Sequence, residues 1–117
     1  MSGKLSTHVL DTASGKPAAG LKVELFLLEG DSRKLLKTTS TNSDGRTDQP
    51  LLEGAEFKTG RYEITFDVKS YFAAKGSSDA GKFLDIVPII FVVSDASAKY
   101  HVPLLVSPWS YSTYRGS

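Results

Sequence analysis

Residues 61–68 read Arg-Tyr-Glu-Ile-Thr-Phe-Asp-Val, and hydrophobic side chains alternate with charged or polar ones along the whole stretch. Successive side chains of a β-strand point to opposite faces of its sheet, so this period of two predicts a strand with one buried face. The residues predicted on that face are Tyr62, Ile64, Phe66 and Val68. In residues 21–28 the same alternation predicts that the inward residues are Leu21, Val23, Leu25 and Leu27. Residues 4–10 and 34–40 are shorter or weaker strand candidates.

Clusters of turn-forming residues separate these candidate strands. They occupy residues 14–17, 29–32 and 42–45 and consist mainly of Gly, Ser, Asp and Asn. Glycine tolerates positive φ, and Ser, Asp and Asn can hydrogen-bond to their own backbone, so such clusters favour tight turns. Short strands at this spacing predict an all-β sandwich. Residues 69–76 depart from the pattern, because two alanines followed by Lys and Gly predict a helix of about two turns.

An apolar strand candidate at residues 83–93 contains a proline. Pro88 cannot donate a hydrogen bond to a neighbouring strand, so this strand is predicted at a sheet edge or at a bulge. An exposed apolar edge promotes aggregation unless something covers it. A second copy of the chain would do so most economically, and we expect a symmetric oligomer. The alternative is a covering loop within one subunit.

The last predicted strand pair comprises residues 100–106 and 109–114. The second member alternates aromatic and small hydroxyl residues, and it contains one Trp and two Tyr. A disordered segment seldom carries so many aromatic residues. We therefore expect the C-terminal segment to be packed.

Composition restricts the class of protein. The chain has 117 residues and a net charge of +1, which predicts one domain over residues 1–117 and no nucleic acid or membrane partner. It has no cysteine and two histidines, too few for a thiolate or three-histidine metal site within one subunit. The glycine motifs of dinucleotide, P-loop and nucleophile-elbow enzymes are absent. The start shows no signal peptide, and the longest apolar run, residues 86–93, is too short to cross a bilayer.

Three side chains are the first candidates for chemistry. His8 and His101 are the only residues whose unperturbed titration falls near neutral pH. Each lies in a predicted strand, where a buried histidine bonded to a backbone carbonyl is the commoner arrangement. Arg46 follows an Asp-Gly turn. It is either a solvated loop residue or a fixed cation that stabilises an oxyanion or binds a planar acceptor.

The remaining candidates are the chain terminus and two serines. Tyr114, Arg115 and Ser117 form either a frayed tail or a tail folded into a site, where they would offer a phenol, a hydroxyl and a carboxylate. Ser6 and Ser107 are candidate nucleophiles beside a histidine, but no motif supports either of them.

Several stretches together carry a resemblance to a known family. They are residues 6–12 (Ser-Thr-His-Val-Leu-Asp-Thr) with 15–18 (Gly-Lys-Pro-Ala), 44–46 (Asp-Gly-Arg), 100–108 (Tyr-His-Val-Pro-Leu-Leu-Val-Ser-Pro) and 111–117 (Tyr-Ser-Thr-Tyr-Arg-Gly-Ser). These stretches resemble the 5-hydroxyisourate hydrolases, the transthyretin-like branch of purine catabolism. The ending Tyr-Arg-Gly-Ser is specific, because the hormone-carrying transthyretins share the fold but lack that terminus.

The resemblance implies a transthyretin-like, two-sheet β-sandwich of about eight strands with one short helix. It implies a homotetramer, a dimer of dimers, with active sites at the subunit interface along a central channel. The implied site residues are His8, Arg46, His101 and Ser117, with Tyr114 and Arg115 also contacting the substrate. In the implied reaction, water opens the six-membered ring of 5-hydroxyisourate, the oxidation product of urate, at a lactam C–N bond. The product is 2-oxo-4-hydroxy-4-carboxy-5-ureidoimidazoline, and neither a metal nor an organic cofactor is implied.

This chemistry suits the candidate residues. Hydrolysis of a cyclic amide needs a base for water, a cation near the carbonyl oxygen and an acid for the leaving nitrogen. A histidine near Arg46 and a second histidine would resist protonation and act as a neutral base, and either His8 or His101 fits that role.

Two other functions compete with the hydrolase. One is a transthyretin-like binding protein for an aromatic ligand, although histidines and an arginine would make a poor apolar pocket. The other is a structural or adhesive sandwich that assembles through its apolar edge. Relatives occur in cytoplasm, periplasm and peroxisome, and without a visible targeting motif we expect the cytoplasm.

Overall fold

A computed structural model of the protein describes residues 3–116, which form a sandwich of two β-sheets. The strands are β1 (Lys4–Asp11), β2 (Lys16–Pro17), β3 (Lys22–Glu29), β4 (Ser32–Ser40), β5 (Leu52–Glu53), β6 (Gly60–Asp67), β7 (Ile86–Val93), β8 (Lys99–Val106) and β9 (Tyr111–Thr113). A 3-10 turn covers Gly54–Glu56, and a helix, α1, covers Val68–Ala74. The predicted all-β sandwich with one short helix is confirmed.

The two sheets differ in how their strands pair. Sheet A has the order β2-β1-β8-β9, with β5 also paired to β1, and sheet B has the order β4-β3-β6-β7. All pairs in sheet B are antiparallel, whereas β1 and β8 in sheet A run parallel. In that parallel pair Lys4 lies opposite Lys99, and Ser6 lies opposite His101. Residues about a hundred positions apart in the chain are therefore neighbours on one surface.

The core lies between the inward faces of the two sheets, as the alternating pattern predicts. Tyr62, Ile64 and Phe66 of β6 are all buried in it. The inward residues of β3 are buried too, except for Leu27, which is only partly covered. Val68 is buried as predicted, but it begins α1 instead of ending the strand.

The helix forms where the sequence predicts it. The Asp67 carboxylate caps its start by accepting a hydrogen bond from the backbone N–H of Ser70 at 3.2 Å. Gly76, with φ 80°, follows its end. The Tyr71 hydroxyl donates to Asp11 Oδ2 at 2.9 Å and so ties the helix to β1. Burial, together with the neighbouring Asp11 carboxylate, raises the pKa of Tyr71.

Strand β7 lies at a sheet edge, as Pro88 predicts. Among the described residues it pairs only with β6, and Pro88 lies opposite Thr65. The strand begins at Ile86, so residues 83–85 precede it. Its outward side chains are exposed, with Ile86 at 54%, Ile90 at 51% and Val92 at 63%. No loop within residues 3–116 covers this apolar row, which contradicts the covering-loop alternative.

The C-terminal segment only partly fits its prediction. Its backbone is packed, because β9 pairs with β8 over residues 111–113. The side chains of Trp109, Tyr111 and Tyr114 are exposed, so the segment packs through its backbone more than through these aromatic residues. The reason is that β9 is the edge strand of sheet A, with no strand beyond it among residues 3–116. No helix in residues 3–116 is long and apolar enough to span a membrane.

Candidate active site

The candidate site lies on the outward face of sheet A. Strand alternation buries Leu5, Thr7 and Val9 and turns Ser6 and His8 outward. His101 lies on the same face of the neighbouring strand, directly opposite Ser6 and diagonal to His8. The parallel register of β1 and β8 therefore brings both predicted histidines together.

A tight turn brings Arg46 to these histidines. The Asn42 side-chain oxygen accepts hydrogen bonds from two backbone N–H groups of the turn, including that of Arg46 at 3.2 Å. Gly45 has φ 77°, and a Cβ there would collide with the carbonyl oxygen of Val9, so the position requires glycine. Val9 donates its backbone N–H to the Gly45 carbonyl at 2.8 Å, and Arg46 forms a β-bridge with His8. The arginine is thus held by its backbone while its side chain stays exposed.

His8 is half-buried and held by the same turn. Its Nε2–H donates to the carbonyl oxygen of Asp44 at 2.9 Å. A carbonyl oxygen can only accept, so this nitrogen carries the proton and the lone pair of the neutral ring lies on Nδ1. The carbonyl bond expected of a structural histidine is present, but His8 is not fully buried.

His101 has a different environment. Its ring is half-buried, and its Nδ1 lies 2.9 Å from Ser6 Oγ. Burial lowers the pKa of His101, and the charges of Arg46 and His8 lower it further. The lowered pKa agrees with the sequence-based expectation. Burial lowers it more than either charge does. A neutral imidazole is therefore favoured at neutral pH.

Ser6, Arg46 and His101 line an open cavity of roughly 370 Å³ together with Lys4 and Lys99. Three of these five lining residues are permanent cations, and none is a carboxylate. Such a cavity suits an anionic or carbonyl-rich small molecule. Sequence reasoning missed Lys4 and Lys99, because only the β1–β8 register places them side by side.

The C-terminal candidates lie elsewhere in this subunit. Tyr114 and Arg115 line an apolar groove of about 290 Å³ between β7 and β9 and not the cationic cavity. The Arg115 guanidinium lies 4.1 Å from the centre of the Tyr100 ring, and its Nη2 donates to the Lys99 carbonyl at 3.2 Å. Ser117 lies outside the described residues.

Gly116 brings the chain back to the site. Its backbone N–H donates to the His101 carbonyl at 2.7 Å. A Cβ at this position would lie 2.7 Å from His101 Cδ2, so only glycine allows this approach without moving the ring. Ser107 is far less suited to chemistry than Ser6, because its hydroxyl accepts from the backbone N–H groups of Trp109 and Ser110 at 3.1 and 3.2 Å.

Comparison with known proteins adds a family and several relatives. Residues 5–116 match the model of the HIUase/Transthyretin family. The 5-hydroxyisourate hydrolase 2 of Rhizobium meliloti is 57% identical over 117 residues, which covers 99% of this chain and 98% of the relative. The structure of Klebsiella pneumoniae 5-hydroxyisourate hydrolase is 36% identical with a TM-score of 0.78, covering 97% of this chain and 99% of that chain. Sea bream transthyretin in complex with thyroxine is 26% identical with a TM-score of 0.87, covering 97% and 94%.

Proposed function

This chain belongs to the HIUase/Transthyretin family, and from that premise we propose that it is a 5-hydroxyisourate hydrolase. Within the transthyretin-like sandwich, the observation that carries the proposal is the half-buried His101, which lines an open cationic cavity with Arg46. An aromatic-ligand carrier of the transthyretin kind would need an apolar pocket there, and three cations argue against one.

The substrate is a small heterocycle, and the reaction is hydrolysis of one ring amide. Water attacks the lactam carbonyl carbon of 5-hydroxyisourate, and the C–N bond of the six-membered ring breaks. The product is 2-oxo-4-hydroxy-4-carboxy-5-ureidoimidazoline. The reaction therefore belongs to urate degradation in purine metabolism.

His101 is the general base in this proposal. Its pKa is lowered by burial, and a neutral ring can take a proton from the attacking water. As the C–N bond breaks, the same ring returns that proton to the leaving nitrogen. His8 is less suited to be the base, because its Nε2–H is already donated to the Asp44 carbonyl.

Arg46 stabilises the negative charge that develops on the carbonyl oxygen during attack. It lines the cavity beside His101, and its backbone is fixed by the Asn42 turn. A cation held in place before the reaction lowers the barrier without a reorganisation cost. Lys4 and Lys99 add to the positive potential that attracts an electron-rich substrate.

We assign the C-terminal residues and the assembly to the same proposal. The chain, residues 1–117, acts as one domain and forms a dimer of dimers, and Tyr114, Arg115 and Ser117 complete the substrate site. Two observations support this assembly. The edge strands β7 and β9 both border the groove that contains Tyr114 and Arg115, and the backbone N–H of Gly116 donates to the His101 carbonyl.

The test is to generate 5-hydroxyisourate in the cuvette with urate oxidase and to follow its ultraviolet decay with and without this protein. Acceleration lost in His101→Ala, Arg46→Ala and His8→Ala supports the proposal. Arg61→Ala, an exposed arginine in sheet B, is the matched control and should keep full activity. A folded protein that does not accelerate the decay would contradict the proposed function.

A further inference from the structure

We propose that Ser6 is a positioning residue for His101: its Oγ accepts a hydrogen bond from Nδ1–H and so leaves the Nε2 lone pair facing the cavity. The kinetic consequence rests on the proposed hydrolase function. The hydrogen bond and the tautomer that it stabilises do not, and they can be measured without a substrate.

The geometry of the two strands supplies the contact. Ser6 and His101 lie directly opposite each other in the parallel pair of β1 and β8, and both side chains point outward from sheet A. The Oγ–Nδ1 distance of 2.9 Å is that of a full hydrogen bond. Both residues border the cationic cavity, so with Nδ1 engaged, Nε2 is the ring nitrogen left to meet water or substrate there.

The direction of the hydrogen bond follows from the surrounding charges. A neutral imidazole has its negative end at the unprotonated nitrogen. Lys4, Arg46 and Lys99 also border the cavity, so a lone pair pointing towards these cations is favoured over an N–H pointing at them. The proton of neutral His101 is therefore on Nδ1, and Ser6 is its acceptor. The reverse arrangement would turn an Nε2–H towards the cations.

This direction also defines what Ser6 does not do. A nucleophilic serine donates its hydroxyl proton to the neighbouring histidine. Here the serine receives a hydrogen bond from the ring, and His101 acts on water through its other nitrogen. Ser6 thus orients the base and, by accepting from Nδ1–H, stabilises the tautomer that the cations favour.

The first test is ¹⁵N NMR of the imidazole rings at mildly alkaline pH. The chain has only two histidines, so the spectrum contains two ring systems, and His8→Gln assigns them. We expect opposite tautomers: Nδ1–H for His101 and Nε2–H for His8, which donates to the Asp44 carbonyl. In Ser6→Ala, His101 should shift towards Nε2–H while His8 stays unchanged.

The second test is kinetic. Ser6→Ala should lower kcat about tenfold, the value of one hydrogen bond, and leave KM unchanged, because the bond orients the base and does not hold the substrate. Ser6→Thr keeps the hydroxyl in a strand position that favours β-branched residues, and it should retain most of the activity. Ser40→Ala, an exposed serine at the end of β4 in the other sheet, is the matched control.

The outcomes separate the alternatives. A parent His101 that is protonated on Nε2, or a Ser6→Ala variant with unchanged tautomer and kcat, would overturn the proposal. A fall in the kcat of Ser6→Ala of about a thousandfold or more, with an acyl-serine detected by mass spectrometry in the parent, would overturn the proposal and identify Ser6 as a nucleophile. If the parent does not accelerate 5-hydroxyisourate decay, the proposed function fails, while the tautomer measurement still decides the role of Ser6.

Discussion

The two outward faces of the sandwich use their charges differently. On sheet B, Arg33 Nε donates to Glu63 Oε1 at 2.8 Å, and the Arg33 guanidinium lies 3.5 Å from the centre of the Phe26 ring, which it buries. This is the one ion pair within residues 3–116. On sheet A, Lys4, Arg46 and Lys99 border an open cavity with no carboxylate in its lining. The same strand alternation thus produces one face with an ion pair and one whose cations border an open cavity.

The largest expected contrast comes from making the same substitution on each face. Arg46→Met removes the cation that we propose stabilises the oxyanion, and it should lower kcat/KM by about a hundredfold to a thousandfold. Arg33→Met on sheet B should leave kcat/KM within about twofold, because the Arg33 side chain binds Phe26 and Glu63 on the sheet that lacks the candidate site. Initial rates against 5-hydroxyisourate measure both variants. Equal losses of kcat/KM in the two variants would contradict the proposed role of Arg46.

A glycine substitution on each side sharpens the contrast further. Gly116→Ala places a Cβ 2.7 Å from His101 Cδ2 and should displace the ring, lowering kcat about tenfold or more with little change in Tm. Gly30→Ala, in the turn between β3 and β4, has φ 56° and open space around it, so it should lower Tm and leave kcat unchanged. Thermal unfolding and steady-state kinetics of both variants measure this. A Gly116→Ala enzyme with normal kcat would contradict the close packing on His101.

The pH dependence tests the electrostatics of the sheet A face. Burial, Arg46 and His8 lower the pKa of His101, so the neutral base persists to lower pH and kcat/KM should fall only below the usual imidazole range. Removing the Arg46 charge raises the pKa of His101 again, so the acid limb in Arg46→Met should move to higher pH. The Arg33→Met profile should overlay that of the parent. If the acid limb of the kcat/KM profile does not move in Arg46→Met, the Arg46 charge does not lower the pKa of His101.

The smallest effect is expected from the ion pair on sheet B. Glu63→Gln breaks its pairing with Arg33, whose side chain is 50% exposed, so the free energy of unfolding should fall by less than about 1 kcal/mol. Urea denaturation measures this change, and the loss should shrink in high salt. A much larger loss would mean that sheet B depends on its surface charges more than the geometry indicates.

Features that depend on neighbours in the chain could be predicted from the sequence. The alternation of residues 61–68 identified β6, and the alanines before Gly76 identified the helix. Pro88 identified an edge strand because proline lacks the N–H that a strand between two neighbours would donate to one of them. Each of these signals acts within a few residues, so no knowledge of the tertiary structure was needed.

Features that depend on distant pairing were not predictable in this way. Nothing in the two separate segments indicates that β1 and β8 are parallel in a register that aligns Ser6 with His101. Lys4 and Lys99 therefore could not be assigned to the cavity, and the family resemblance gave His8, Arg46 and His101 without their contacts. The exposure of Trp109 was also missed, since aromatic composition does not reveal that a strand lies at a sheet edge.

The hydrogen bond between Ser6 and His101 spans 95 positions of the chain, and this separation has a kinetic consequence. Contacts between distant residues require closure of a long loop, which makes their formation slow in comparison with a helix or a hairpin. No hairpin of this fold contains the site, so catalytic competence should arise only when β8 docks beside β1 late in refolding. During refolding from denaturant, recovered hydrolase turnover would therefore report completion of the sandwich more faithfully than recovered strand content.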